Sequence, residues 1–269
     1  MPGTDGVGGI EPLGVSSTPL VTGGRALEQR SGASNSNSMN SSNCFQFPSV
    51  LLTNANHVLN KLDELYCIVS DRRADIICIT ESWLDSATPD ALCTIGDYSI
   101  YRKDRLSGPG GGVLCYVSTA IQSYVVSPVV SASSDFEILW VLLRPRVLPR
   151  PLSCIVLAVL YVPPWYNVEL SRALRSYTLS CVDFFRTKYS HPSFIICGDF
   201  NSFDTDFCYK LLHFKQMVLK PSRGLRILDK FFTDCDDYYS EAQILPPLGR
   251  SDHNCLFIAP TTRCQQSVG

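Results

Sequence analysis

Seven runs of nearly unbroken apolar residues divide the chain: SVLLT (49–53), DIICIT (75–80), GVLCYV (112–117), FEILWVLL (136–143), CIVLAVLYV (154–162), SFIICGDF (193–200) and NCLFIA (254–259). Val, Ile, Leu, Cys and Tyr dominate them, and Gly, Pro, Ser or Asp bounds each, so each is expected to be a short strand. Polar residues do not alternate with apolar ones, which points to strands buried on both faces. Such sheets need cover, and two segments have the spacing of amphipathic helices. VLNKLDELYCIVSDR (58–72) aligns Leu59, Leu62, Leu65 and Val69, and NVELSRALRSYTLSCVDFFRTKY (167–189) aligns Leu170, Leu174, Tyr177, Cys181 and Phe185. Asn167 is a suitable N-cap, and His191-Pro192 ends the second pattern. The runs 136–143 and 153–162 lie too close for a crossover helix and are expected to pair through the Pro-rich RPRVLPRP. The expected fold is α/β of the α+β type: two mixed β-sheets packed face to face and flanked by helices.

The first 45 residues are rich in Gly, Ser and Asn and nearly free of large apolar side chains. They cannot bury enough surface to offset their ordering entropy, so 1–45 is expected to be a disordered tail, as is 261–269. The stretch has neither the basic start nor the apolar core of a secretory signal. Residues 46–260 suffice for one large domain. Removing the tail's Arg25, Arg30, Asp5, Glu11 and Glu28 leaves 21 basic and 22 acidic residues, which argues against a protein that coats nucleic acid through a basic surface. No apolar run reaches the roughly 20 residues of a membrane helix. The twelve cysteines form no CxxC pair and many lie inside apolar runs, so they are expected to be buried free thiols rather than disulfides or zinc ligands. The expected location is nucleus or cytoplasm.

Polar residues recur at the carboxyl ends of the apolar runs. Asp199 and Asn201 follow SFIICG, two residues apart and so on one strand face, with Phe200 on the other. A carboxylate and a carboxamide side by side can hold a water and a phosphate oxygen; GDFN is also an ordinary turn. Glu81 directly follows DIICIT, where a carboxylate is costly unless paired or bound to a hard cation such as Mg²⁺. Its alternative is a polar start to a helix. Ser251-Asp252-His253 leads from LPPLGR into NCLFIA. There His253 can contact phosphate or move a proton, with a remote carboxylate such as Asp229 in RILDKFF fixing its tautomer. Asn54 and Asn56 end the first run, and Tyr161 ends another with a hydroxyl able to donate to phosphate. Each of these three is also readable as a satisfied polar group at a sheet end, and for Asn56 that is the preferred reading. Gly110-Gly111-Gly112 lacks the GK[ST] ending of a nucleotide-binding loop and reads as a turn into a strand. Together, acids, amides and one His at strand ends are what metal-assisted phosphate hydrolysis requires.

The chain resembles the endonuclease/exonuclease/phosphatase superfamily, and within it the apurinic-type endonuclease domain of LINE-like non-LTR retrotransposons. The resemblance rests on TNANHVLNKLDEL, DIICITESWL, YRKDR with GGGVLCYV, LYVPP, GDFN, RGLRILDKFF and LPPLGRSDHN, in that order over about 200 residues. It implies a four-layer sandwich and a DNA-nicking, Mg²⁺-dependent enzyme, with Mn²⁺ as a substitute. Glu81 and Asp252 would be the metal-site acids. Asn54 would join the surrounding hydrogen-bond network, Tyr161 would contact the phosphate, Asp199 would position the attacking water, and Asn201 would support the transition state. Asp229 would orient His253 against the scissile phosphate, and Ser251 and Asn56 would support the site. Asn56 stands where some relatives carry a carboxylate, and NANHV replaces a common NARSL. Complete elements of this kind continue into a reverse transcriptase; none is present here, which reads as a detached endonuclease module. The other readings are a phosphatase, an abasic-site or RNA nuclease of the same fold, or a non-catalytic remnant.

Overall fold

A computed structural model describes residues 47–129, 133 and 136–261; apart from Thr261, the tails expected at 1–45 and 261–269 lie outside the described residues. One sheet contains β1 (Val50–Asn54), β2 (Ile76–Thr80), β3 (Tyr98–Lys103), β4 (Val113–Ser118), β11 (Gln243–Pro247) and β12 (Asn254–Ile258). The other contains β5 (Gln122–Val125), β6 (Glu137–Arg144), β7 (Cys154–Tyr161), β8 (Pro192–Asp199), β9 (Lys215–Gln216) and β10 (Asp229–Thr233). Their orders are β11-β12-β1-β2-β4-β3 and β5-β6-β7-β8-β10-β9. Each sheet has a single parallel pair at its centre, β1 with β2 and β7 with β8, and every other pairing is antiparallel. A parallel pair requires a long crossover. Helix α1 (Leu62–Arg72) supplies it in the first sheet and α2 (Val168–Lys188) in the second.

This arrangement sorts the apolar residues into three layers. Val50, Leu52, Cys78 and Cys115 of one sheet pack against Leu157, Val159, Cys197 and Phe231 of the other. Leu65 and Val69 of α1 cover Leu51, Ile77 and Tyr116 on the outer face of the first sheet. Leu174, Cys181, Val182 and Phe185 of α2 cover Trp140, Val156 and Ile196 on the second. Phe185 is fully buried with its ring 5.2 Å from Trp140, and truncating such a side chain costs about 3–5 kcal/mol. The result is a four-layer α/β/β/α sandwich of two mixed six-stranded sheets, as the apolar runs imply. Asn167 caps α2 by accepting the Leu170 N–H at 2.8 Å. All ten described cysteines are free and all but Cys67 are buried. No described helix is long and apolar enough to cross a membrane.

Five strands have no apolar run to announce them. β3 is half-buried throughout, β5 is largely exposed, β9 has two residues, β10 opens on Asp229, and β11 contains two prolines at the sheet edge.

Candidate functional site

The carboxyl ends of the two parallel pairs lie on the same side of the sandwich. Asn54 is register partner to Thr80, which precedes Glu81, and Tyr161 is register partner to Asp199. The antiparallel neighbour β10 starts at Asp229, opposite Asp199. Crevices outside the carboxyl ends of parallel strands are favoured ligand sites, because polar groups there end buried strands without interrupting them.

Both central pairs end in the same device. Asn54 Oδ1 accepts the Asn56 N–H at 3.1 Å, and Asp199 Oδ1 accepts the Asn201 N–H at 2.9 Å. In each turn the residue two places on is left-handed, with φ 41° at Asn56 and 44° at Asn201. Asn tolerates that conformation better than most side chains, which accounts for its use at both places. Glu81, at φ 50°, and Trp83, at φ 57°, share the strain. Clustered outliers of this kind persist where surrounding contacts hold them, commonly at functional sites. Before Asp199, Gly198 has φ 145°, and an added Cβ would lie 1.8 Å from the Leu160 carbonyl oxygen.

One amide joins the two halves. Asn54 Nδ2 donates to Glu81 Oε1 at 2.9 Å and to Asp199 Oδ2 at 3.0 Å, so a residue of the first sheet holds a carboxylate from each. Ser251 Oγ donates to the Asn54 carbonyl at 2.7 Å and accepts the His253 N–H at 3.2 Å. His253 Nδ1 lies 2.7 Å from Asp229 Oδ2, which makes Nδ1–H the donor. Nε2 faces inward, 3.9 Å from Asp199 Oδ2 and 3.9 Å from Asp252 Oδ1. Asn201 is half-buried and its amide donates to the Val162 carbonyl at 2.9 Å. Asp252 is exposed and ion-paired with Arg223, while the Asn56 side chain stands exposed at the rim.

Charges set the protonation states. Burial, with the Asp229 charge second, pushes Asp199 up to about 6, against the pull of His253 and its hydrogen bonds. Burial opposes the charged form of His253, but the Asp229 hydrogen bond and the charges of Asp229, Asp199 and Asp252 outweigh it and hold the imidazole above its ordinary value. Tyr161 is pushed well above the usual phenol range by burial and then by Glu81, so its hydroxyl stays protonated as a donor.

Sequence reasoning does not pick up four residues of the site. Arg223 pairs with Asp252. Trp83 donates its indole N–H toward Glu81 Oε2 at 3.4 Å. Glu137 and Arg105 form a buried ion pair at 2.7 Å beside Tyr161. A glutamate opening the otherwise apolar FEILWVLL was the available signal, since a buried charge needs a partner.

Carboxylate oxygens, the hard ligands that suit a divalent cation, occur here at two places. Asp199, Asp229 and His253 place one ligand atom each within 4.8 Å of one another. In that group, however, His253 Nδ1 and Asp229 Oδ2 already satisfy each other. Glu81 is the freer acid: it is half-exposed, meets only the amide and indole donors and the Tyr161 hydroxyl, and has no ion pair among the described residues.

Residues 41–253 match the sequence pattern of the Endonuclease/Exonuclease/phosphatase family. No curated protein sequence matches the chain significantly. Among solved structures, the chain is similar to the AP endonuclease LMAP from Leishmania major, with 17% identity, a TM-score of 0.61, and coverage of 81% of this chain and 87% of that one. It is similar to the endonuclease domain of TRAS1, a telomere-specific non-LTR retrotransposon, with 16% identity, a TM-score of 0.57 and coverage of 80% and 97%. It is also similar to the 3'-5' exonuclease NExo from Neisseria meningitidis, with 14% identity, a TM-score of 0.57 and coverage of 79% and 99%. At these identities the likeness is one of fold.

Proposed function

The chain belongs to the endonuclease/exonuclease/phosphatase family, whose members are hydrolases acting on phosphodiester bonds, and from that premise we propose that it is a Mg²⁺-dependent endonuclease that nicks DNA. The observation that carries this reading is the Asn54 amide, which holds Glu81 and Asp199 together opposite the His253–Asp229 pair. Fixed acids, a positioned imidazole and a phenol in one crevice are the parts needed for hydrolysis of a phosphodiester.

Each side chain has a task its surroundings support. Asp199, ionised above about pH 6, accepts a proton from the attacking water. The water oxygen bonds to phosphorus in line as the opposite P–O bond breaks, and the leaving oxygen takes up a proton from solvent. His253, whose charged form is favoured because it is held above its ordinary value, directs Nε2–H toward a non-bridging phosphate oxygen, and Asp229 accepts Nδ1–H and fixes the orientation of the imidazolium. Tyr161 donates its hydroxyl to the same group, and Asn201, ending the Asp199 turn, supports it. Ser251 and Asn54 fix these groups relative to one another. Glu81, with Asp252 as the second acid, would hold the cation, which when bound polarises the phosphoryl oxygen.

A DNA substrate, and origin as a retrotransposon endonuclease module, are supported by the order of sequence motifs and by the fold shared with the TRAS1 domain. The deciding experiment offers supercoiled plasmid, an abasic duplex, RNA and inositol phosphates to the purified chain with Mg²⁺ or Mn²⁺. Nicking of plasmid, lost in Asp199→Ala and His253→Ala, is the expected result. Intact plasmid with turnover of another substrate would reassign the substrate, and inactivity on all of them would sink the enzyme reading.

A further inference from the structure

Behind Tyr161 lies a buried ionic assembly that the hydrolytic roles above leave unused. Arg105, in the loop between β3 and β4, donates from Nε to Glu137 Oε1 at 2.8 Å, and its Nη2 lies 2.7 Å from the same oxygen. Nη1 donates to the Pro109 carbonyl at 2.8 Å. The other carboxylate oxygen of Glu137 accepts the Gly112 N–H. Both ends therefore belong to the turn that the sequence spells GPGGG. At Gly111 a Cβ would lie 2.3 Å from the guanidinium carbon, so the absence of a side chain there makes room for Arg105.

This assembly touches the candidate site at one place. The Arg105 guanidinium carbon sits 5.7 Å from the centre of the Tyr161 ring, within cation–π range. Glu137 is also the β6 residue in register with Tyr161 on β7. The side chains of Arg105 and Glu137 are only 16% and 5% exposed. An ion pair this buried is poor evidence of stabilisation, because well-packed apolar side chains often do as well or better in its place. Its placement against one ring suggests a different purpose.

We propose that Arg105, anchored by Glu137 and the glycine turn, is a positioning residue that fixes the Tyr161 phenol at the phosphate end of the site. Its catalytic part rests on the reading given under Proposed function; its effect on Tyr161 does not. The guanidinium covers one face of the ring while Glu137 prevents it from swinging toward Glu81 or substrate phosphate. Lys would keep the charge but lose the planar fork that spans Glu137 and Pro109.

The test uses the full chain with all twelve tyrosines ¹³C-labelled at Cζ, the Tyr161 resonance being assigned by its disappearance in Tyr161→Phe. In Arg105→Ala and Glu137→Gln that resonance is expected to move or broaden while tyrosines remote from the turn keep their positions. Arg105→Lys should lie between parent and Arg105→Ala, and it carries the test if the alanine variant does not fold. An unmoved Tyr161 resonance in the folded variants would overturn the proposal. Nicking kinetics give the second arm: Arg105→Ala should lose about tenfold or more in kcat with KM nearly unchanged, and should add little on top of Tyr161→Phe. Fully additive losses would overturn it too. Absence of nicking by the parent chain would refute the nuclease reading and leave the resonance arm to decide the role of Arg105.

Discussion

His253 Nδ1 and Asp229 Oδ2 lie 2.7 Å apart, tying the residue that leads into β12 of one sheet to the first residue of β10 in the other. Both side chains are almost wholly buried, so the pair closes the sandwich where the candidate site opens. Asp229→Asn keeps the shape but offers an amide donor or carbonyl where a carboxylate accepted Nδ1–H, which weakens support for the charged ring and for its orientation. Nicking is expected to fall by about 10²-fold or more, and Asp229→Asn combined with His253→Ala should be no worse than His253→Ala alone. Steady-state rates on plasmid, with circular dichroism to verify folding, check this. Multiplying losses would mean that the two residues do not act as a unit.

Asp199 carries a pH signature that is readable without substrate. Burial and the Asp229 charge hold it at about 6 against an ordinary 3.8, so the folded chain binds this proton more tightly than the unfolded chain. The associated stability is complete below the unfolded value and is lost as pH rises through about 6. Asp199→Asn, which cannot ionise, should therefore gain on the parent as pH rises from 4 to 8. The change has a ceiling of about 3 kcal/mol for the two-unit shift, and whatever the amide loses against Asn54 adds only a pH-independent offset. Denaturant unfolding at several pH values in the absence of divalent cations measures it. A pH-independent difference would contradict the assignment. In the parent, nicking should fall below about pH 6 as the proton acceptor is neutralised.

The central strands are legible in the sequence because burial on both faces leaves near-continuous apolar runs, and their polar ends, Asn54, Glu81, Tyr161 and Asp199, stand out against them. Edge strands behave differently. β3, YSIYRK, is half-buried at every position, and β11 holds Pro246 and Pro247 where ladder donors are dispensable, so neither has a pattern to read. Within the site, Asn54 is near Glu81 in register but 145 residues from Asp199, and only the packing of sheet on sheet brings that pair together. Arg105 was illegible for a further reason. It sits in a polar loop, and its meaning comes from Glu137 on a strand of the other sheet. The ion pair of Asp252 with Arg223 likewise depends on a hairpin whose contacts no local pattern reveals.

Glu81 and Asp252 should differ as cation ligands. Glu81 has no ion pair among the described residues, whereas Asp252 is already matched by Arg223. Glu81→Gln is expected to weaken Mg²⁺ binding about tenfold or more, Asp252→Asn to weaken it less, and Arg223→Ala to strengthen it by freeing the Asp252 carboxylate. Titration calorimetry on the chain without nucleic acid separates these effects from catalysis. Chelation should abolish nicking and added Mg²⁺ or Mn²⁺ restore it. Tighter binding in Glu81→Gln than in the parent would place the cation elsewhere.

Gly198 gives the most local test of how the fold delivers Asp199. Its φ of 145° is a conformation that L side chains rarely adopt, and a Cβ there would lie 1.8 Å from the Leu160 oxygen and 2.9 Å from the Leu160 nitrogen. The obstacle is backbone of β7, fixed by its ladder to β6, so nothing flexible can yield. Gly198→Ala must therefore push β7 and β8 apart where Tyr161 and Asp199 end, at an expected cost of about 3 kcal/mol or more from strain and lost packing. Gly224 is the control: its φ is 55°, yet no atom lies within 4 Å of an added Cβ. Gly224→Ala should cost only about 1–2 kcal/mol of left-handed strain. Thermal unfolding of the two variants separates backbone strain from steric blockage, and equal losses would show that the close approach of β7 to Gly198 does not govern this strand end.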